Sequence, residues 1–308
     1  MTRKTKGLLS ILVPVVAWGI SFVSTEFLLA VLGPMTIGAI RFVIATALLY
    51  VAMKVTKQPL KIKSEDRFLF LLAGGVGIGL YFFFENTGIK YISASPAALI
   101  IAAIPVFTLI FEALIYKRKI EGLDLFAVLL SVFGVVFIVD IKFSEFFKMQ
   151  ESIGYLMMVG AVFAWVIYSL ASKPLFEKYS YLTIIFYQFL YSIPFFIPLV
   201  FFESNRWHAI GFEVIAHLIF LSIIASVLGF YCYAKAMDLL GVTESSIFIN
   251  FLPIVTIIFS YFYLGTVISV RQFIGGALVL ASVTITTLHG QHVQRRKEQQ
   301  VVQTELEG

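Results

Sequence analysis

Apolar residues dominate this chain in long runs, and short polar clusters interrupt them at nearly even intervals. Runs such as "LLSILVPVVAWGISFV" and "FIGGALVLASVTITTL" show no strict alternation and extend well beyond the length of a strand. About 20 apolar residues cross roughly 30 Å of hydrocarbon as a helix. The polar breaks therefore predict ten spans, over approximately 8–30, 35–54, 68–87, 94–116, 123–141, 153–173, 181–202, 213–236, 244–264 and 271–289. Their connections are short and rich in turn residues, as in "LGPMT" and "SASPA". The expected fold class is an all-α polytopic membrane protein, followed by a polar tail over 291–308.

Composition strengthens that reading. Of 308 residues, 60% are hydrophobic and only 13% charged, where a soluble domain carries roughly a quarter charged residues. A net charge of +5 would suggest nucleic acid in a soluble chain. Here the basic residues flank the spans, so no nucleic-acid partner is expected. With the N-terminus in the cytoplasm, one side collects 17 Lys and Arg residues and the other 5, leaving Arg41 inside a span. This asymmetry predicts a multi-pass protein of the plasma membrane with both termini cytoplasmic. The apolar stretch after "MTRKTK" outlasts the core of a signal peptide, which predicts a retained first span. Cys232 is the sole cysteine and the four histidines lack metal spacing, so neither metal nor cofactor is expected.

The chain also repeats. A shift of 147 residues lays "AWGIS" (Ala17–Ser21) on "AWVIY" (Ala164–Tyr168), and a shift of 148 lays "IPVFTLIF" on "LPIVTIIF". This predicts a first five-helix repeat over 1–150 and a second over 151–290. Five spans per repeat is an odd number, so the second enters the membrane inverted. Inverted repeats mark transporters, with the solute site near the midplane between them.

"WGISFV", "AIRF", "IPVFT" and "LPIVT", in this order and duplicated layout, resemble the EamA family of the drug/metabolite transporter superfamily. The resemblance spans about Leu8 to Leu288. It implies a carrier whose helices 1–4 and 6–9 line a central cavity, with helices 5 and 10 peripheral. It further implies export of small metabolites, amino acids or drugs.

Several residues are candidates for the solute route. Arg41 inside an apolar span costs on the order of 2.5–3.5 kcal/mol on the insertion scale, and intramembrane charges mark pathways or partners. Glu26, across the "LGPM" turn, is its expected partner, either as a lock between two helices or as a gate or carboxylate anchor. Gln188 aligns with Arg41 in the repeat. Trp18 and Trp165 occupy matched mid-span places, and with Tyr81, Tyr168, Tyr187, Tyr191 and Tyr231 they form either a cavity wall or ordinary packing. Ser21, Glu85 and Asn250 complete the polar set, with Glu85 either a proton site or an interfacial carboxylate. Pro105 and Pro253 are matched prolines expected to kink their helices. "GGVGIG" (Gly74–Gly79) lacks the context of a nucleotide loop, and Gly75 with Gly79 forms a small-residue face.

These residues predict a secondary transporter, monomeric or homodimeric, that moves a small organic solute through the bilayer by alternating access. Protons are one coupling ion open to it, alongside facilitated diffusion or exchange. No Walker loop is present for ATP. Two rivals remain at this stage: a membrane sensor or assembly protein without transport, and an intramembrane enzyme. The enzyme reading lacks H-E-x-x-H and G-x-S-x-G motifs, so no catalytic residue is expected.

Overall fold

The computed structural model describes residues 2–115, 117, 122–139, 149–282, 284, 285, 288 and 289. The expected tail over 291–308 lies outside these residues, as do the basic residues Arg118, Lys119, Lys142, Lys148, Arg295, Arg296 and Lys297. No strand occurs among the described residues.

Helices follow the apolar runs. They are α1 (Arg3–Leu29), α2 (Pro34–Val55), α3 (Ser64–Ile92), α4 (Ala94–Ile115), α5 (Gly122–Val139), α6 (Met149–Ser172), α7 (Tyr181–Val200) and α8 (Phe212–Leu240). Then come α9, which runs from Val242–Phe248 through Ile249–Phe251 into Leu252–Leu264, and α10 (Val270–Ser282). Among the described residues seven helices are long and apolar enough to cross a membrane, α1 to α4 and α6 to α8, while the apolar stretches of α5, α9 and α10 are shorter. Large apolar side chains such as Phe68, Phe133 and Phe262 point outward and exposed, as a lipid-facing surface requires.

Two long helices are internally irregular at matched places. In α3, Leu72–Leu80 is a nine-residue π-helical stretch, and in α8 the same length of π-helix spans Phe220–Leu228. The two lie 148 residues apart, the shift that aligns "IPVFTLIF" with "LPIVTIIF". Such wide turns concentrate at functional sites.

Pro105 and Pro253 do not kink continuous helices as expected. α4 breaks at Ala102–Ala103 and restarts at Ile104, while α9 passes through a 3-10 turn and restarts at Leu252. Each proline therefore occupies the first turn after a break, where its missing N–H costs nothing.

The helices of the two halves interleave. α1 packs on α8 and α9, α2 on α7, and α3 on α6 and α7. α5 and α10 meet each other, with Gly134 against the backbone of Gly275. Gly75 and Gly79 do share a face, but it receives the Phe195 ring.

Polar contacts gather at the two ends. At the end bearing Arg3, Lys178 Nζ lies 2.7 Å from Asp66 Oδ1, and Tyr179 Oη donates to Asp66 Oδ2 at 2.7 Å. Arg3 donates to the Asp238 carbonyl at 3.0 Å, and Tyr181 donates to the Asp238 carboxylate at 2.6 Å. Asp66 holds the Lys178 ammonium above the usual lysine range, so on the lysine side this clasp persists at neutral pH and is lost only in strong base.

At the opposite end, Gly33 caps α2 without a side chain, leaving its first N–H groups to find partners elsewhere. Glu203 supplies them, accepting from Met35 and Thr36 N–H at 2.8 Å each, while Asn205 accepts from Gly33 N–H at 2.7 Å.

Candidate functional site

The middle of the bundle encloses a cavity lined by Trp18, Ser21 and Phe22 of α1, Arg41 of α2, and Tyr81, Phe82 and Glu85 of α3. Ile101 and Ile104 of α4, Trp165 of α6, Phe230 of α8, and Ile249 and Leu252 of α9 complete it. Its volume is about 20 Å³, room for one water. Among the lining residues none comes from α5, α7 or α10, so α7 departs from the implied eight-helix wall.

Aromatic side chains build the cavity's walls. Trp18 and Trp165 meet edge to face, with centroids 5.2 Å apart and planes at 83°. Trp18 also packs on Phe230 and Tyr233, and Trp165 on Tyr81 and Tyr168. The Trp18 indole N–H donates to the Ala225 carbonyl in the α8 π-helix at 2.8 Å. Close approach there depends on Gly229, where a β-carbon would sit 2.8 Å from that indole nitrogen.

Arg41 is only 1% exposed. Its Nε donates to Ser226 Oγ at 2.6 Å, again within the α8 π-helix. Its guanidinium lies 4.4 Å from the Phe82 ring centroid, a cation–π arrangement. Glu85 is 2% exposed, lines the same cavity, and accepts a hydrogen bond from Tyr81 one turn earlier.

The expected pairing of Arg41 with Glu26 is not formed. Glu26 Oε2 accepts instead from the Ala94 N–H at 2.7 Å, capping the start of α4. The orphan N–H of a helix start attracts a carboxylate, and Glu26 lies beside it. Glu85 is the carboxylate that shares the cavity with Arg41.

Other expected residues divide. Trp18, Ser21, Arg41, Tyr81, Glu85 and Trp165 line the cavity, and Tyr168 packs behind Trp165. Tyr187 bonds to the Leu60 carbonyl and packs on Phe70. Gln188 donates to Ser172 Oγ at 2.8 Å, and Tyr231 packs on Tyr181. None of these three reaches the cavity. Asn250 is buried in the α9 3-10 turn beside the lining residue Ile249. Sequence reading missed Phe22, Phe82, Phe230 and Tyr233. The 148-residue shift pairs Phe82 with Phe230 and Glu85 with Tyr233, a signal that could have found Phe82, Phe230 and Tyr233 but not Phe22.

A second, larger cavity of about 690 Å³ opens at the end opposite Arg3. Glu26, Lys90, Tyr91, Glu151, Tyr155 and Gln272 are among its lining residues. Glu26 and Ile89 line this vestibule, while Phe22 and Glu85, four residues earlier on the same helices, line the central cavity. The residues lining the two spaces thus lie four positions apart on α1 and α3, about 6 Å along each helix axis.

The profile of the EamA-like transporter family matches residues 5–140 and again 152–288, one match in each half. An uncharacterized transporter of Archaeoglobus fulgidus is 28% identical, covering 93% of this chain and 98% of its own length. A probable terminal-alkyne amino-acid exporter of Streptantibioticus cattleyicolor is 23% identical, covering 96% and 97%. A crystal structure of a protein at 18% identity superposes with a TM-score of 0.66 over 94% of this chain and 99% of its own, a likeness of fold. The two family matches, which together span nearly the whole chain, and the apolar helices make this a multi-pass membrane protein belonging to the EamA-like transporter family.

Proposed function

We propose that the chain is a secondary transporter exporting a small organic solute (a metabolite, amino acid or drug-like molecule) by alternating access, without changing it chemically. Its ten helices form two inverted five-helix repeats, 1–150 and 151–290. It sits in the plasma membrane with both termini in the cytoplasm. The observation that carries this reading is the central cavity, walled by Trp18 of one half in edge contact with Trp165 of the other. A space built from both halves changes access when they move against each other. The clasp at Asp66 and Lys178 and the vestibule at the other end support a state closed toward the cytoplasm, with its wider opening outside. The exporter among the relatives supports outward transport.

Flux into or out of proteoliposomes, over a panel of solutes, tests the reading. Trp18→Phe and Trp165→Phe preserve most of the buried ring area but change the cavity wall. Each is expected to slow flux about tenfold, equivalent to roughly 1.4 kcal/mol, with the folded fraction unchanged. Wild-type flux in both variants removes the cavity from the solute route.

Orientation has its own test, in a background where Cys232 is replaced by Ser. A cysteine at Arg206 is expected to react with an impermeant maleimide in intact cells, and one at Lys61 only after permeabilisation. The reverse pattern inverts the topology.

A further inference from the structure

We propose that the solute carries a carboxylate, which docks on the terminal nitrogens of Arg41 while Glu85 takes up one proton. This rests on the reading of the central cavity as the solute site, and it names the chemistry that the site selects.

The guanidinium has five N–H donors. Among the described residues it makes one hydrogen bond, from Nε to Ser226. The Phe82 ring lies against its face, so the terminal nitrogens remain for the cavity that Arg41 lines. A guanidinium fork matches a carboxylate in a planar, bidentate way. Buried and poorly solvated, this donor set is an anchor awaiting an anion.

Charge balance sets the rest. Arg41 is the cation among the cavity-lining residues and Glu85 the carboxylate, each nearly fully buried. A second anion beside an ionised Glu85 would leave one uncompensated negative charge in a poorly solvated space, which is strongly unfavourable. A proton on Glu85 restores neutrality. The proton comes from the medium: one O–H bond of hydronium breaks as one O–H bond forms at Glu85 Oε1, because Oε2 already accepts from Tyr81, and water is the leaving base.

The groups facing Glu85 are few. Tyr81 on its own helix and Arg41 on α2 line the cavity with it, while Tyr168 on α6 and Tyr233 on α8 are set back behind Trp165. The residues that α1, α4 and α9 contribute to the lining are not ionisable. A phosphate would bring more negative charge than one guanidinium and one proton balance, and an organic cation would meet Arg41. The cavity as it stands admits one water, so docking requires the two halves to part; the body of the solute then lies against Trp18, Trp165 and Phe230, which favours a flat or apolar group.

The test uses the full chain in detergent micelles, with Trp207→Phe to silence the one tryptophan outside the cavity, an exposed residue between α7 and α8. Trp18 and Trp165 then report on the site. Benzoate is expected to quench their fluorescence saturably, and its neutral isostere benzamide to do so at least about tenfold more weakly, as befits the loss of a charge-assisted pair. In weakly buffered solution each benzoate bound is expected to remove about one proton from the medium. Arg41→Gln is expected to abolish the quench, and Glu85→Gln to retain it without proton uptake.

Equal quenching by benzamide, or benzoate binding without proton uptake, overturns the proposal. So does phenylalanine binding more tightly than benzoate with no proton taken up, because Glu85 then holds its ammonium group. Failure of every member of a panel of aromatic and aliphatic monocarboxylates at millimolar concentration also overturns it. The comparison of benzoate with benzamide needs no change at Arg41, so a misfolded variant leaves the test intact. Binding is read without flux, so a chain that transports but ignores carboxylates rejects this proposal and keeps the transporter reading.

Discussion

Replacing Arg41 by Met is expected to destabilise the protein by about 3–5 kcal/mol, the cost of leaving a buried charge without its counterpart. The change removes the bond to Ser226 and the contact with Phe82, and it strands Glu85 in the same cavity. Glu85→Gln strands Arg41 in turn. The double change is expected to cost less than the sum of the singles, by about 0.5–3 kcal/mol, as groups that share an environment do. Glu26→Gln supplies the contrast. Its carboxylate caps Ala94, so its effect is expected to add to that of Arg41→Met. Thermal unfolding of the three single variants and the two double mutants in micelles measures all of these terms. Coupling of Arg41 to Glu26 rather than to Glu85 would contradict the geometry described above.

Gly77→Val is expected to be the most damaging single change along α3. A β-carbon at Gly77 would lie 2.5 Å from Tyr168 Cβ and 2.7 Å from Tyr168 Cα. Part of that obstacle is backbone, so no side-chain rotation relieves it. Overpacking of a core costs about 1–3 kcal/mol and more where the backbone must shift. The helices α3 and α6 would separate, and Trp165 and Tyr168 would move with them. Gly211→Ala is the matched control, because nothing lies within 4 Å of a β-carbon there. Folded yield by size-exclusion chromatography and the melting temperature report both. A Gly77→Val protein as stable as wild type would mean that α3 and α6 are not as close as 2.5 Å implies.

Seven of the ten expected spans were legible, among the described residues, because each of those apolar runs is long enough to pose only one question, whether it crosses hydrocarbon. Trp18 and Trp165 were legible because the repeat placed both at the same register. The π-helices were not. "LAGGVGIGL" and "FLSIIASVL" share no composition that distinguishes a five-residue hydrogen-bond step from a four-residue one. Partnership of charges was also hidden, because depth along the membrane is only one coordinate. Glu26 and Arg41 are neighbours in sequence across a short turn, yet rotation about each helix axis sends Glu26 toward Ala94 and Arg41 toward Ser226. Glu203 escaped notice for a related reason: it caps α2 from 168 residues away.

The interleaving of α1 with α8 and α9 has a consequence for how such a chain can diverge. Gly19 accepts a hydrogen bond from Thr256, and Trp18 gives one to Ala225, so the innermost partners of the first half lie in the second. Neither half is therefore free to drift alone. A change of size at Gly77 has to be answered at Tyr168, and one at Gly229 has to be answered at Trp18. The 148-residue shift sets Glu85, which lines the cavity, opposite Tyr233, which packs behind it on Trp18 and Trp165. At that pair the likeness of the two halves is broken: one member is a carboxylate at the cavity, the other an aromatic ring in its outer wall.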